Sequence, residues 1–198
     1  MKYDFLLRLP GLLVAIVIHE FSHGYMAYLL GDSTAKESGR LSLNPLKHID
    51  IIGFIFLLVF KFGWAKPVPI NSINFKNRKR DTILVSLAGP FSNFIVAIIL
   101  GFIISSGIVF NYIMLNNILV IMLLYNIMLG VFNLLPFPPL DGSKVLASLL
   151  PIKYEYIFYK NERYLYLILI LLVATNTISR ILSPFIDLSL NILIKIVG

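Results

Sequence analysis

The 198-residue sequence predicts an all-α polytopic membrane protein with about four full transmembrane helices. Three observations lead there: 58% of its residues are hydrophobic, only 14% are charged, and the mean hydropathy is +0.86. Water-soluble domains average roughly 45–50% apolar and about 25% charged residues, so this surplus of apolar surface has to face lipid. The chain has no cysteine, which excludes a disulfide framework and any thiolate metal site. Its formal charge of +7 sits on lysines and arginines grouped between the apolar runs. That is the pattern of cytoplasmic membrane loops, not of a nucleic-acid binder.

The first span covers residues 9–30 and ends before Gly31-Asp32, a position where helices commonly stop. It is too long for a signal-peptide core and lacks a small-residue cleavage site, so it reads as mature protein. The run IIGFIFLLVF at 51–60 is too short to cross a bilayer and rich in β-branched and aromatic residues, which predicts a short re-entrant or β-like membrane-edge segment. A basic stretch over 61–81 follows. The second span occupies 82–109, an uncharged turn at 111–117 returns the chain, and the third span occupies 118–135. The proline-rich break NLLPFPPLDG at 133–142 leads into a polar segment with Lys144, Lys153, Lys160 and Arg163. A fourth span at 164–183 ends near Arg180 and Pro184, leaving an apolar C-terminal segment whose course the sequence leaves open.

These elements form one intramembrane domain over 1–198, with a core at 9–145 and C-terminal helices at 146–198. The turn at 110–117 has no room for an inserted domain. If 51–60 does not cross, both basic segments, 66–81 and 141–163, share the cytoplasmic side. The N-terminus then lies outside, against which Lys2 and Arg8 weigh.

Two of the three histidines occur as His19-Glu20-Phe21-Ser22-His23 inside the first span. A spacing of four places both imidazoles on one helix face, able to share one Zn²⁺ with Glu20 near enough to take a proton from an attacking water. Burying this trio among Leu, Val and Ile costs several kcal/mol, which argues for a function. Catalytic zinc usually has three protein ligands. A third histidine six residues further on is absent, because that position is Leu29. Most other acids lie in polar loops or near the terminus, but Asp141 ends an apolar span just after Pro136, Pro138 and Pro139. Three prolines in four residues force open backbone, which membrane depth tolerates only when buried or lining a wet cavity. The first and third spans run toward the same side, which brings Asp141 to the level of His23. His48 lies in a basic loop and is expected to hydrogen-bond near Asp50 instead of binding metal.

Taken together, HEFSH at 19–23, GRLSLNPLKHID at 39–50, GWAKPVPIN at 63–71, AGPFSN at 88–93 and NLLPFPPLDG at 133–142 resemble the site-2 protease family of intramembrane zinc metalloproteases. The resemblance is closest to its small bacterial and archaeal members. It implies one Zn²⁺ per chain held by His19, His23 and Asp141, with Glu20 as general base and acid. It further implies Asn133 as a catalytic group polarising the scissile carbonyl, and Asn93 and Pro139 as substrate-binding residues. The implied partners are the lipid bilayer and a membrane-protein substrate with a transmembrane segment, cut at a site reached from the cytoplasmic side of the cell membrane. Family members usually carry proline where this chain has Ile51, which bears on the local turn. The segment 51–75 is a candidate edge for strand addition by an unwound substrate. Two other readings stay open from the residues alone: a membrane zinc or divalent-metal transporter, and a catalytically inactive binding relative. Natural substrate and oligomeric state are not legible.

Overall fold

A computed structural model describes residues 2–60 and 65–198 of the chain. Lys61 and the Gly63-Trp64 start of the 63–71 motif lie outside the described residues. The α-helices among the described residues are α1 (Lys2–Leu29), α2 (Thr34–Glu37), α3 (Ile51–Phe60), α4 (Arg78–Ser105), α5 (Ile113–Asn133), α6 (Asp141–Leu149), α7 (Ile152–Lys160), α8 (Glu162–Ala174) and α9 (Thr177–Val197). A lipid-facing backbone has no water to bond, so long apolar runs close their hydrogen bonds internally as helices.

Three of these are long and apolar enough to cross a membrane: Leu7–Leu29 within α1, α4 and α5. They match the first three expected spans. The fourth differs, because α8 and α9 are separate helices bent by 83° and together amount to at most one broken span. The break falls at Thr175-Asn176, where Asn176 has φ 58°, and Pro184 lies inside α9. The C-terminal segment left open above is thus the second half of α9, which returns along α4 and α5.

α1, α4 and α5 form the centre. Gly11 brings α1 within a bare Cβ's clearance of α5, since a Cβ there would lie 2.9 Å from the Met122 Cα. Ala97 and Leu100 of α4, Leu123, Ile127 and Val131 of α5, and Leu182 and Leu193 of α9 make one buried apolar cluster. Lipid is as apolar as these side chains, so close packing and not exclusion from water holds the cluster.

The run at 51–60 is a ten-residue helix, so the β-like alternative does not hold there. Asp50 starts it: its Oδ1 accepts the Gly53 N–H at 2.8 Å, the bond of an N-cap. Ile51 is then the first helical residue, the position where proline is favoured, which is why its replacement leaves the turn intact. The extended stretch comes later, over residues 65–71, joined to the preceding loop by an antiparallel bridge between Ile49 and Ala65. Its backbone is already heavily committed. Lys66 donates to the His48 carbonyl at 2.9 Å, Val68 to Glu20 at 2.8 Å and Asn71 to Asp32 at 2.7 Å, while Pro67 and Pro69 have no N–H. Arg40 donates to the carbonyls of Lys66 and Pro67 at 2.7 and 3.2 Å. The GRLSLNPLKHID motif therefore serves as a frame for 65–71. His48 is buried in it and bonds the Ser42 carbonyl at 2.6 Å, not Asp50.

Asp32, fully buried, ties the end of α1 to this frame by accepting from Asn71 N–H and the Asn74 amide, each at 2.7 Å, and from the Thr34 N–H at 3.2 Å. Burial pushes its carboxyl up, but the bonds from Thr34, Asn71 and Asn74 outweigh that and hold it below its ordinary value. A carboxylate depressed in the folded state contributes stability above its unfolded pKa of about 3.9 and loses it as pH falls through the lower folded value. Asp32→Ala is expected to lower stability by roughly 3 kcal/mol at neutral pH, since several donors lose a charged acceptor. Thermal melts at neutral pH and near pH 3 should show the gap between wild type and variant narrowing in acid.

Candidate metal centre

His19 and His23 lie one turn apart on α1, and Asp141 is the first residue of α6. All three side chains are buried, at 4–6% exposure. Asp141 Oδ2 lies 3.1 Å from His19 Nε2 and 3.0 Å from His23 Nε2, and the two Nε2 atoms are 3.0 Å apart. Helix α6 can start there because Gly142 carries no side chain: a Cβ would overlap the Leu134 carbonyl and come within 2.5 Å of that of Leu135. The open backbone at 134–140 thus loops back on itself to present the acid. Lys144 reaches the other oxygen of Asp141, Oδ1, at 3.4 Å.

A stripe of α4 at spacing four faces the imidazole pair. The Val85 carbonyl accepts from His23 Nδ1 at 2.7 Å, and Asn93 Oδ1 accepts from His19 Nδ1 at 2.7 Å. Between them stands Gly89, where a Cβ would lie 2.5 Å from His23 Nε2 and 2.7 Å from His19 Cε1. Both outer partners are acceptors, so each ring carries its proton on Nδ1 and turns an Nε2 lone pair inward. Two lone pairs and a carboxylate oxygen then meet within 3.0–3.1 Å with no proton among them. Such a set is repulsive unless a cation sits between its members. Atoms about 2.0–2.1 Å from one tetrahedral zinc lie roughly 3.3 Å apart, so the spacing suits that ion. Hydrogen bonds at the far ring nitrogens are the usual means of orienting histidine ligands.

Glu20, the residue after His19, is not a member of the trio; its Oε2 accepts the Val68 N–H at 2.8 Å. The extended stretch 65–71 is thereby pinned beside the site. A cavity of about 450 Å³ opens from His23 and Asp141, lined also by Val68, Ser86, Pro139 and Lys144. Pro139, expected at the substrate, is in that wall. Asn93 is not available to substrate: it is fully buried, and its Nδ2 donates to the Ala15 carbonyl at 3.0 Å and to Asn126 Oδ1 at 2.9 Å. Its arrangement is that of a residue orienting His19. Asn133, at the end of α5, donates to the Leu129 carbonyl at 3.0 Å within its own helix and does not line the cavity. Asn126 is a buried group that sequence reasoning missed. The signal for Asn126 was an amide in an apolar span, seven residues and hence two turns before Asn133.

The family model for Peptidase family M50 matches residues 108–175. The YwhC protein of Bacillus subtilis, which carries a zinc-metalloprotease name, is 38% identical over 192 residues, covering 93% of this chain and 88% of its own. Rip2 of Mycolicibacterium smegmatis, similarly named, is 29% identical over 89% of this chain and 70% of its own. A zinc metalloprotease of Methanocaldococcus jannaschii is 30% identical over 74% of this chain and 35% of its own. No solved structure matches the chain.

Proposed function

The chain belongs to peptidase family M50, the site-2 protease family, and from that premise we propose that this multi-pass zinc metallopeptidase cleaves a peptide bond in or beside a transmembrane segment of a membrane-protein substrate. The observation that carries the reading is the convergence of His19, His23 and Asp141 within the apolar bundle, at the end of a cavity. In this reading these three hold the zinc. When bound, zinc supplies Lewis acidity that lowers the pKa of water and polarises a carbonyl. Glu20 takes the proton of the attacking water and returns it to the leaving amine nitrogen. Val68, bonded to Glu20, keeps that carboxylate aimed while the segment 65–71 borders the substrate. For Asn133 to donate to a substrate carbonyl, its Nδ2 has to leave the Leu129 carbonyl. Arg78, Lys79 and Lys144 line the cavity, and lysines and arginines collect on cytoplasmic faces, which supports entry of water from the cytoplasm. The catalytic unit spans 9–145, with α7 to α9 as its cover.

The test is cleavage of a model transmembrane substrate in detergent by wild type, by chelator-treated wild type and by Asp141→Ala. Chelation is expected to abolish cutting and added zinc to restore it. Asp141→Ala is expected to lose both bound zinc and cleavage, at least 100-fold in each. Normal cleavage by Asp141→Ala, or zinc flux into vesicles without cleavage, would overturn the reading.

A further inference from the structure

We propose that Asn126 is a positioning residue for the metal centre, fixing through Asn93 which ring nitrogen of His19 faces the ion. This rests on the reading of His19 as a zinc ligand. Asn126 makes no hydrogen bond to a ligand and lies on α5, the helix that contributes none of the three.

The inference follows from donors and acceptors alone. Asn126 Nδ2 donates to the Met122 carbonyl at 2.8 Å, a partner that only accepts, so its Oδ1 must point the other way. That oxygen receives Asn93 Nδ2 at 2.9 Å, and the Ala15 carbonyl receives the same nitrogen at 3.0 Å. With both its N–H bonds spent on acceptors, Asn93 can present only Oδ1 to His19, 2.7 Å from Nδ1. His19 must then carry its proton on Nδ1 and leave the Nε2 lone pair for the trio. Both amides are fully buried, so water cannot substitute for a lost partner. Without Asn126, one Asn93 N–H is orphaned and only Ala15 holds the carboxamide against a flip. A flipped Asn93 would set an amide donor against His19 Nδ1 and favour the wrong tautomer. His23 is independent of this relay, because its Nδ1 bonds the Val85 main chain.

That independence gives the test a signature that a general packing role would lack. Full-length wild type, Asn126→Leu and Asn126→Asp are compared in detergent with zinc as the probe. Zinc Kd is measured by chelator competition, and the Nδ1–H resonances of His19 and His23 are followed in histidine-labelled, zinc-loaded protein. Asn126→Leu is expected to weaken zinc roughly tenfold, within the range for loss of a partner behind a ligand. It should also broaden or abolish the His19 signal while leaving that of His23 in place. Asn126→Asp retains an acceptor for Asn93 in either protonation state, so its Kd should stay within about threefold of wild type. The proposal is overturned by wild-type affinity and an intact His19 resonance in Asn126→Leu, or by both resonances changing together. Should Asn126→Leu not fold, a tenfold loss in folded Asn126→Asp overturns it equally. Failure of the wild type to bind zinc would overturn the metal-centre reading itself, and with it this one.

Discussion

Glu20→Gln is expected to leave zinc occupancy unchanged and to lower kcat for a transmembrane substrate by about 10²–10⁴-fold, the usual contribution of a positioned general base. The separation of the two effects comes from where the side chain is tied. Glu20 contributes no atom to the ligand trio, so the substitution leaves metal binding alone. Its Oε2 accepts the Val68 N–H at 2.8 Å, and glutamine keeps an oxygen for that bond. The extended segment 65–71 therefore stays in place, and only the capacity to take and return a proton is removed. Glu20→Ala makes the contrast: it loses the proton carrier and also releases Val68, so faster proteolysis at 65–71 should accompany the lost activity. Metal analysis and single-turnover cleavage on the same preparations check this. A Glu20→Gln protein that cuts at the wild-type rate would remove Glu20 from the chemistry.

How much of this was legible in the sequence depends on which physics decided each feature. Polar residues in apolar helices are costly and stand out, so His19, Glu20 and His23 could be singled out, and proline chemistry marked the loop that brings Asp141 to the two histidines. The form of 51–60 was harder, because a short apolar run has no periodicity to separate helix from strand. The N-cap bond of Asp50 decided it, a cue carried by one residue outside the run. Pro184 is a second such case. It was expected to end a span, yet it lies inside α9, while the break falls at Asn176, one of the few non-glycine residues that adopts a left-handed backbone readily. Asn93 could be singled out in the sequence but not its bond to His19, which depends on the partners of its two amide ends. Those partners, Ala15 and Asn126, come from two other helices, and only packing brings them together.

Gly89→Ala adds one methyl group and is expected to weaken zinc by at least about 100-fold, beyond the 10–100-fold that loss of a ligand's hydrogen-bond partner costs. The added Cβ would stand 2.5 Å from His23 Nε2, 2.6 Å from His23 Cε1 and 2.7 Å from His19 Cε1, where contacts between such atoms settle at about 3.5–4.0 Å. Something has to move by roughly an ångström. Helix α4 is poorly placed to withdraw, because Val85 and Asn93, one turn to either side of Gly89, are bonded to the same two imidazoles. The rings must swing, and swinging breaks up the meeting of Nε2 atoms that are now 3.0 Å apart. Alanine is the better helix former by about 1 kcal/mol, so α4 itself should gain and helical content by circular dichroism should be unchanged. A folded Gly89→Ala protein that has lost zinc would show that the site depends on the missing side chain. Wild-type zinc affinity in that protein would mean that the imidazole pair does not rest against α4 as described.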